Sequence, residues 1–402
     1  MTRNIDIVTA LGLPTPPSNS PDTVAALLWA REVMQQHITA TYAVTDPEGI
    51  EELKPVTLGG VQQWLHIRGR KRDNPVLLWL HGGPGSPIIG CADAGQRPWE
   101  DYFTVVQWDQ RQTGKSYYPA AADNAPLTVQ QFIEDTEELV AYLRDYFKQD
   151  KLFVLGASWG TVLGMHMVKR HPDWLHAYVG VGQVVDSSRA TRAIYERLIS
   201  HAQTHNDRAL EAKVSALLPL LEADYPEREK AFVDNALFAR KELSRLAGEA
   251  LMHHMLWDDV GKMFALERTL SPHLSLTDLS NAILGDGMAV FRPPYTFTRD
   301  LLSNDLPKDI GSDFEVPIFF FTGAHDWQTP VTLSDQWFQE ICAPHKELIH
   351  FTESSHCVVN EEPGKFLVAL VNKVLPFAQS GVLDTTESTA VEAAPKQDRE
   401  HA

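Results

Sequence analysis

Residues 152–170 read LFVLGASWGTVLGMHMVKR, and the reading of this stretch decides the fold. A short apolar run, Leu152–Leu155, stops at Gly156-Ala157-Ser158-Trp159-Gly160, and a helix-period segment, Thr161–Arg170, follows at once. A G-x-S-x-G sequence held between a strand and a helix is the setting of a nucleophile elbow. The serine sits in a tight, strained turn, and its neighbours are small because strand and helix approach closely there. Its hydroxyl then stands clear of the sheet, and the next backbone N–H points at the same place.

The alternation of strand and helix continues outward on both sides. Upstream, Val76–Leu80 ends in His81-Gly82-Gly83-Pro84-Gly85 and Phe103–Trp108 ends in Asp109-Gln110-Arg111. Thr128–Phe147 is helical, with Phe132, Leu139, Leu143 and Phe147 on one face. Downstream, Tyr178–Val185, Pro317–Thr322 and His345–Phe351 read as strands and Glu362–Val374 as a closing helix. This pattern predicts an α/β protein with a mostly parallel central sheet and helices on both faces. Glu52–Leu58 and Val61–Arg68 precede it as a hairpin turning at Gly59-Gly60. Between the strands lies a block, 186–309, whose segments Arg192–His205, Asp207–Leu221, Glu227–Met255 and Val260–Leu266 are all helical in period. The expected organisation is an N-terminal extension over 1–50 with one helix (Thr23–His37), a core over 51–185 and 310–380, a helical insertion over 186–309, and a disordered tail over 381–402. The N-terminal helix offers a face either to the main body or to a second subunit of a homo-oligomer.

A serine near its free pKa is a poor nucleophile and needs a base that an acid holds in one tautomer. In the chain order serine, acid, histidine, the acid follows a late strand and the histidine a later one. Asp326 stands just past Pro317–Thr322, and His356 follows His345–Phe351, 30 residues further on. Asp326 is therefore the expected orienting acid and His356 the general base; Glu353 and His325, the nearest rivals, read as solvated loop residues. At 81–85, glycines let backbone N–H groups approach an oxyanion without a Cβ in the way. The N–H of Gly83, or that of Gly82, is expected to pair with that of Trp159, while His81 props the loop.

The rest of the sequence mainly excludes. Lys and Arg number 35 against 53 Asp and Glu, a formal charge of −18, which argues against nucleic acid and anionic membrane as partners. Gly114-Lys115-Ser116 resembles the end of a phosphate loop, but Asp109 stands where its first glycine is needed. Gly180-Val181-Gly182 has Val185 in place of the third glycine of a dinucleotide site. His166, His171, His253 and His254 have no metal spacing, so neither metal nor cofactor is expected. Cys91, Cys342 and Cys357 form no disulfide pattern, and Met1–Ile7 lacks the start of a signal peptide, so a cytoplasmic setting is expected. Met252, Met255, Met263, Trp257 and Phe264 read as the core of the helical block or as lining of a substrate pocket.

Together, HGGPG at 81–85, Asp109-Gln110-Arg111 running on to Gly114-Lys115-Ser116, the serine elbow, Gly323-x-x-Asp326-x-x-x-Pro330 and the late His356 resemble the proline iminopeptidase (prolyl aminopeptidase) family of α/β-hydrolases. The resemblance spans about 60–185 and 310–375, with the helical block in the place of that family's cap. It implies the α/β-hydrolase fold, a Ser158–Asp326–His356 triad, an oxyanion hole at the 81–85 loop and Trp159, and a cap over the substrate. In that family, cap carboxylates hold the substrate's free amino terminus; Glu196, Glu222, Asp224, Glu227 and Glu229 are the carboxylates available here. Gln112, Ala324 and Ser355 stand where the family commonly has glycine, arginine and glycine. The expected activity is a serine hydrolase that cleaves a small peptide or amide, releasing an N-terminal proline or small residue through an acyl-enzyme. An esterase or lactonase acting on small hydrophobic acyl compounds is the alternative, and a noncatalytic ligand receptor is the alternative from another class.

Overall fold

Leu152-Phe153-Val154-Leu155 contains no polar residue because both of its sides are covered. Leu152 and Val154 join one apolar cluster, and Phe153 and Leu155 join another. The same alternation separates Leu78 from Leu77, and Phe320 from Phe319 and Phe321. A computed structural model describes residues 23–91, 95–118, 127–222, 230–251, 257–281 and 295–378. The predicted features that fall on other residues lie outside the described ones: the prolines of 11–21, the tail 381–402, Met252, Met255, Asp224, Glu227 and Glu229.

The strands are β1 (Ile50–Leu58), β2 (Val61–Gly69), β3 (Val76–Leu80), β4 (Thr104–Asp109), β5 (Leu152–Ala157), β6 (Leu175–Val181), β7 (Ile318–Gly323) and β8 (Lys346–Phe351). They form one eight-stranded sheet in the order β1-β2-β4-β3-β5-β6-β7-β8. β2 is antiparallel to β1 and to β4, and the pairs from β4 to β8 are parallel. The longer helices are α1 (Thr23–Tyr42), α2 (Val129–Phe147), α3 (Trp159–Arg170), α4 (Ser187–Thr204), α5 (Arg208–Ser215), α6 (Lys230–Leu251), α7 (Trp257–Leu270) and α8 (Val331–Glu340). Thr128 caps α2 rather than joining it, its side chain accepting from the Gln131 N–H at 3.1 Å. α4, α5 and α6 share an apolar cluster of their own, with Leu198, Val214 and Leu243 fully buried.

Several boundaries differ from the sequence expectation, and two of them have a clear cause. The strand predicted at Tyr178–Val185 is β6, Leu175–Val181. Gly182 takes φ +57, which ends the extended chain, and Gln183 turns back to accept from the Tyr178 hydroxyl at 2.8 Å. The N-terminal helix continues to Tyr42 and is tied to the helical segments of 186–309. Arg31 donates to the carbonyls of Thr269 and Leu274, both at 2.7 Å.

Behind the site, Arg111 grips buried Asp135 through two hydrogen bonds, 2.8 and 2.7 Å, and also donates to the Gly59 carbonyl in the β1–β2 turn at 3.1 Å. Removing one partner of a buried ion pair typically costs about 3–5 kcal/mol, because the other charge stays buried. Arg111→Ala is therefore expected to lower Tm by roughly 5 °C in a thermal melt followed by circular dichroism; a shift of under 2 °C would mean that Gln63 and Gln131 alone satisfy Asp135.

Candidate active site

Ser158 joins β5 to α3 with φ +52 and ψ −119, a conformation that costs a non-glycine residue about 1–3 kcal/mol. Its surroundings hold it there. The Ser158 N–H donates to the Val181 carbonyl at 2.8 Å, and its own carbonyl accepts from the Thr161 N–H at 2.9 Å. Gly160 explains the motif's last glycine: a Cβ there would lie 2.1 Å from the Leu80 carbonyl oxygen, so any side chain would push α3 off β3. Gly82 is also closely packed, though less severely: a Cβ there would lie 3.1 Å from the Cβ of Ser158. The 81–85 loop thus runs directly beside the serine.

Asp326 and His356, on loops after β7 and β8, meet with His356 Nδ1 2.8 Å from Asp326 Oδ2. Asp326 is fully buried, and every acceptor position facing the protein is used. Its Oδ1 accepts from the N–H groups of Gln328 (2.8 Å) and Thr329 (2.9 Å), and its Oδ2 also accepts from the Thr329 hydroxyl at 2.8 Å. A proton on Nδ1 aimed at this carboxylate makes Nε2 the basic nitrogen of His356. Ser158, His356, Gly82 and Gly83 border one cavity of about 400 Å³, whose other walls include Trp79, Ile88, Phe264 and Val358. The rivals stand apart: Glu353 is exposed, and the His325 ring lies 3.1 Å from the Thr352 carbonyl.

Burial pulls the pKa of His356 down, but the charge of Asp326, its hydrogen bond and the charge of Glu361 outweigh that, so the net shift is upward. A histidine must be neutral to act as base. A raised pKa therefore places the acid limb of kcat/KM above the ordinary histidine value of about 6.5. Glu361→Gln removes one of the raising charges and is expected to move that limb to lower pH, read from pH–rate profiles; an unmoved limb would remove Glu361 from the account.

His81 is buried, and burial pushes its pKa down to about 4. Neutral, it donates from Nδ1 to the Gly82 carbonyl (2.8 Å) and accepts at Nε2 from the Gln110 N–H (3.2 Å). The Gln110 side chain closes the circuit, donating to the His81 carbonyl at 3.1 Å and accepting from the Trp159 indole at 3.0 Å. The run after β4 thus couples the glycine loop to the residue that follows the serine. The Trp159 N–H opens α3, where the first N–H groups have no acceptor within the helix.

Residues 75–363 match the sequence profile of the alpha/beta hydrolase fold family. The chain belongs to the α/β-hydrolases. It is 28% identical over 332 residues to the probable aminopeptidase YbaC of Bacillus subtilis, covering 80% of this chain and 96% of that one. The proline iminopeptidase of Arabidopsis thaliana is 33% identical over 133 residues, but this covers only 33% of this chain and 32% of that protein. Among solved structures, proline iminopeptidase from Mycobacterium smegmatis superposes with TM-score 0.54 at 18% identity, over 82% of this chain and 99% of that one. The proline iminopeptidase-related protein of Thermus thermophilus gives 0.55 at 19%, with the same coverage. At these identities the structures speak for the α/β-hydrolase fold alone.

Within this α/β-hydrolase, three residues that depart from the proline iminopeptidase pattern have visible consequences. Gln112 occupies φ +60, a position where glycine is the unstrained choice. Ser355 directs its hydroxyl to Glu361 Oε1 at 2.7 Å, and the Cys357 N–H donates to the same oxygen at 3.2 Å, so Glu361 clamps the backbone on both sides of His356. Ala324 leaves its position beside Asp326 without a charge. Sequence reasoning missed Thr329 and Glu361. Thr329 gave no signal, and Glu361 lies just before the predicted closing helix, where nothing in the sequence singles it out. Of the candidate amine-holding carboxylates, Glu196 is exposed and pairs with Arg192 at 3.0 Å. Phe264 does line the cavity.

Proposed function

We propose that this α/β-hydrolase is a serine hydrolase that cleaves a short peptide or amide and releases a small N-terminal residue, proline among them, through an acyl-enzyme. The observation that carries the reading is that Ser158 and His356 border one cavity while His356 Nδ1 lies 2.8 Å from buried Asp326. Ser158 Oγ attacks the carbonyl carbon as His356 Nε2 takes its proton, and Asp326 stabilises the imidazolium. The N–H of Gly83 or Gly82 and that of Trp159 receive the oxyanion. His356 returns the proton to the departing amine, and water, activated by the same base, frees the acid and Ser158.

The amino-terminal preference is supported by the Bacillus subtilis relative, which aligns along 96% of its length and is named a probable aminopeptidase. In this reading, residues 186–309 form a cap over the substrate, and the unpaired Cys91, Cys342 and Cys357 accord with a cytoplasmic setting. No helix among the described residues is long and apolar enough to cross a membrane. Prolyl and alanyl naphthylamides are expected to be cleaved faster than their N-acetyl forms. One observation favours the second reading, an esterase: among the described residues, none that lines the cavity is a carboxylate able to hold an amine. Equal rates with and without the acetyl group, together with hydrolysis of p-nitrophenyl esters alone, would select it.

A further inference from the structure

The walls of the cavity are apolar apart from a few groups, and among its described lining residues Arg268 carries the one permanent charge. Arg268 belongs to α7 and reaches down onto the loop that follows HGGPG, where its Nη2 donates to the Pro87 carbonyl at 2.9 Å. Its Nε is buried and makes no hydrogen bond. Among the described residues no carboxylate forms an ion pair with it. Asp109, whose carboxylate feels its charge, is already held by the N–H groups of Lys115 (2.9 Å) and Ile89 (3.4 Å). An unsatisfied guanidinium donor beside an apolar cavity is costly unless something arrives to accept from it. Ser86 and Ile88, on either side of its Pro87 anchor, line the same cavity as Ser158.

We propose that Arg268 binds a carboxylate of the substrate, so that the preferred substrates are small amides or esters with an apolar body and one free carboxylate. The inference rests on the hydrolase reading and narrows it. A guanidinium presents parallel N–H groups that match the two oxygens of a carboxylate, and such charge-assisted bonds are about twice as strong as neutral ones. A neutral amide in the same place satisfies at most one of those donors well. For a peptidase this selects dipeptides, whose C-terminal carboxylate lies one residue from the scissile bond, over peptide amides. For an esterase it selects half-esters of diacids.

The test is calorimetric titration of the full chain with hexanoate and with hexanamide, which differ only in the group Arg268 would read. Hexanoate is expected to bind the wild type at least tenfold more tightly. The preference is expected to vanish in Arg268→Gln and to survive in part in Arg268→Lys, which keeps the charge and loses the fork. A purely structural role for Arg268, through Pro87, would alter both ligands alike. Equal affinities, no hexanoate binding to the wild type, or a preference that persists in Arg268→Gln would each overturn the proposal, and the first two need no variant. Labelling of Ser158 by a fluorophosphonate, run on the same samples, separates the failures: intact labelling without carboxylate preference removes only the role of Arg268, whereas absent labelling removes the hydrolase reading itself.

Discussion

Replacing Ser158 with alanine is expected to lower turnover of every substrate by about a million-fold, the order lost when the nucleophile is taken from a unit of this kind. The thermal melt is expected to stay within about 2 °C of the wild type. Alanine has the same Cβ as serine and so meets the same strain at φ +52, and the anchoring bonds from the Ser158 N–H and to its carbonyl are made by backbone. The loss therefore reports the hydroxyl and not the turn. Activity within tenfold of the wild type, on any substrate, would show that the elbow holds a serine for structural reasons.

Asp326→Asn is expected to cost about 10⁴-fold in kcat, and the structure says why so small a change matters. The side chain cannot choose its orientation. Oδ1 faces two backbone N–H donors, from Gln328 and Thr329, so the new amide nitrogen must take the place of Oδ2, 2.8 Å from His356 Nδ1. An N–H group there pairs only with an unprotonated Nδ1, which moves the imidazole proton to Nε2, the nitrogen meant to accept from serine. The variant loses the base while keeping the shape of the site. The acid limb of its residual activity is also expected to fall, since the charge that raises the His356 pKa is gone. A loss under tenfold with an unmoved limb would mean that Asp326 neither orients nor charges the ring.

Much of this architecture was legible in the sequence because the decisive signals are local. A strand buried on both faces must be apolar throughout, a close strand–helix approach must be lined with glycine, and loops at the ends of parallel strands meet at one edge of the sheet. Those rules suffice to bring Asp326 beside His356 from positions 30 residues apart. What stayed hidden depends on packing between distant segments. Arg268 has the spacing of any solvated helix charge, and only the contact of α7 with Pro87 turns it toward the cavity. Glu361 ends the one-turn helix Val358–Glu361, where its place in the sequence gives a carboxylate no special role, yet it is spent on Ser355 and Cys357. The end of β6 was misplaced by four residues because Val184 and Val185 read as strand, while a single left-handed glycine at 182 breaks it.

Incubation of the folded protein with a fluorophosphonate, followed by mass spectrometry of its peptides, addresses the reactivity of the serine without needing the natural substrate. The expected result is one adduct per chain on Ser158, formed in wild type and strongly slowed in His356→Ala. Folded protein that takes up no label, or takes it up at another residue, would contradict a serine made nucleophilic by its neighbours across the sheet edge.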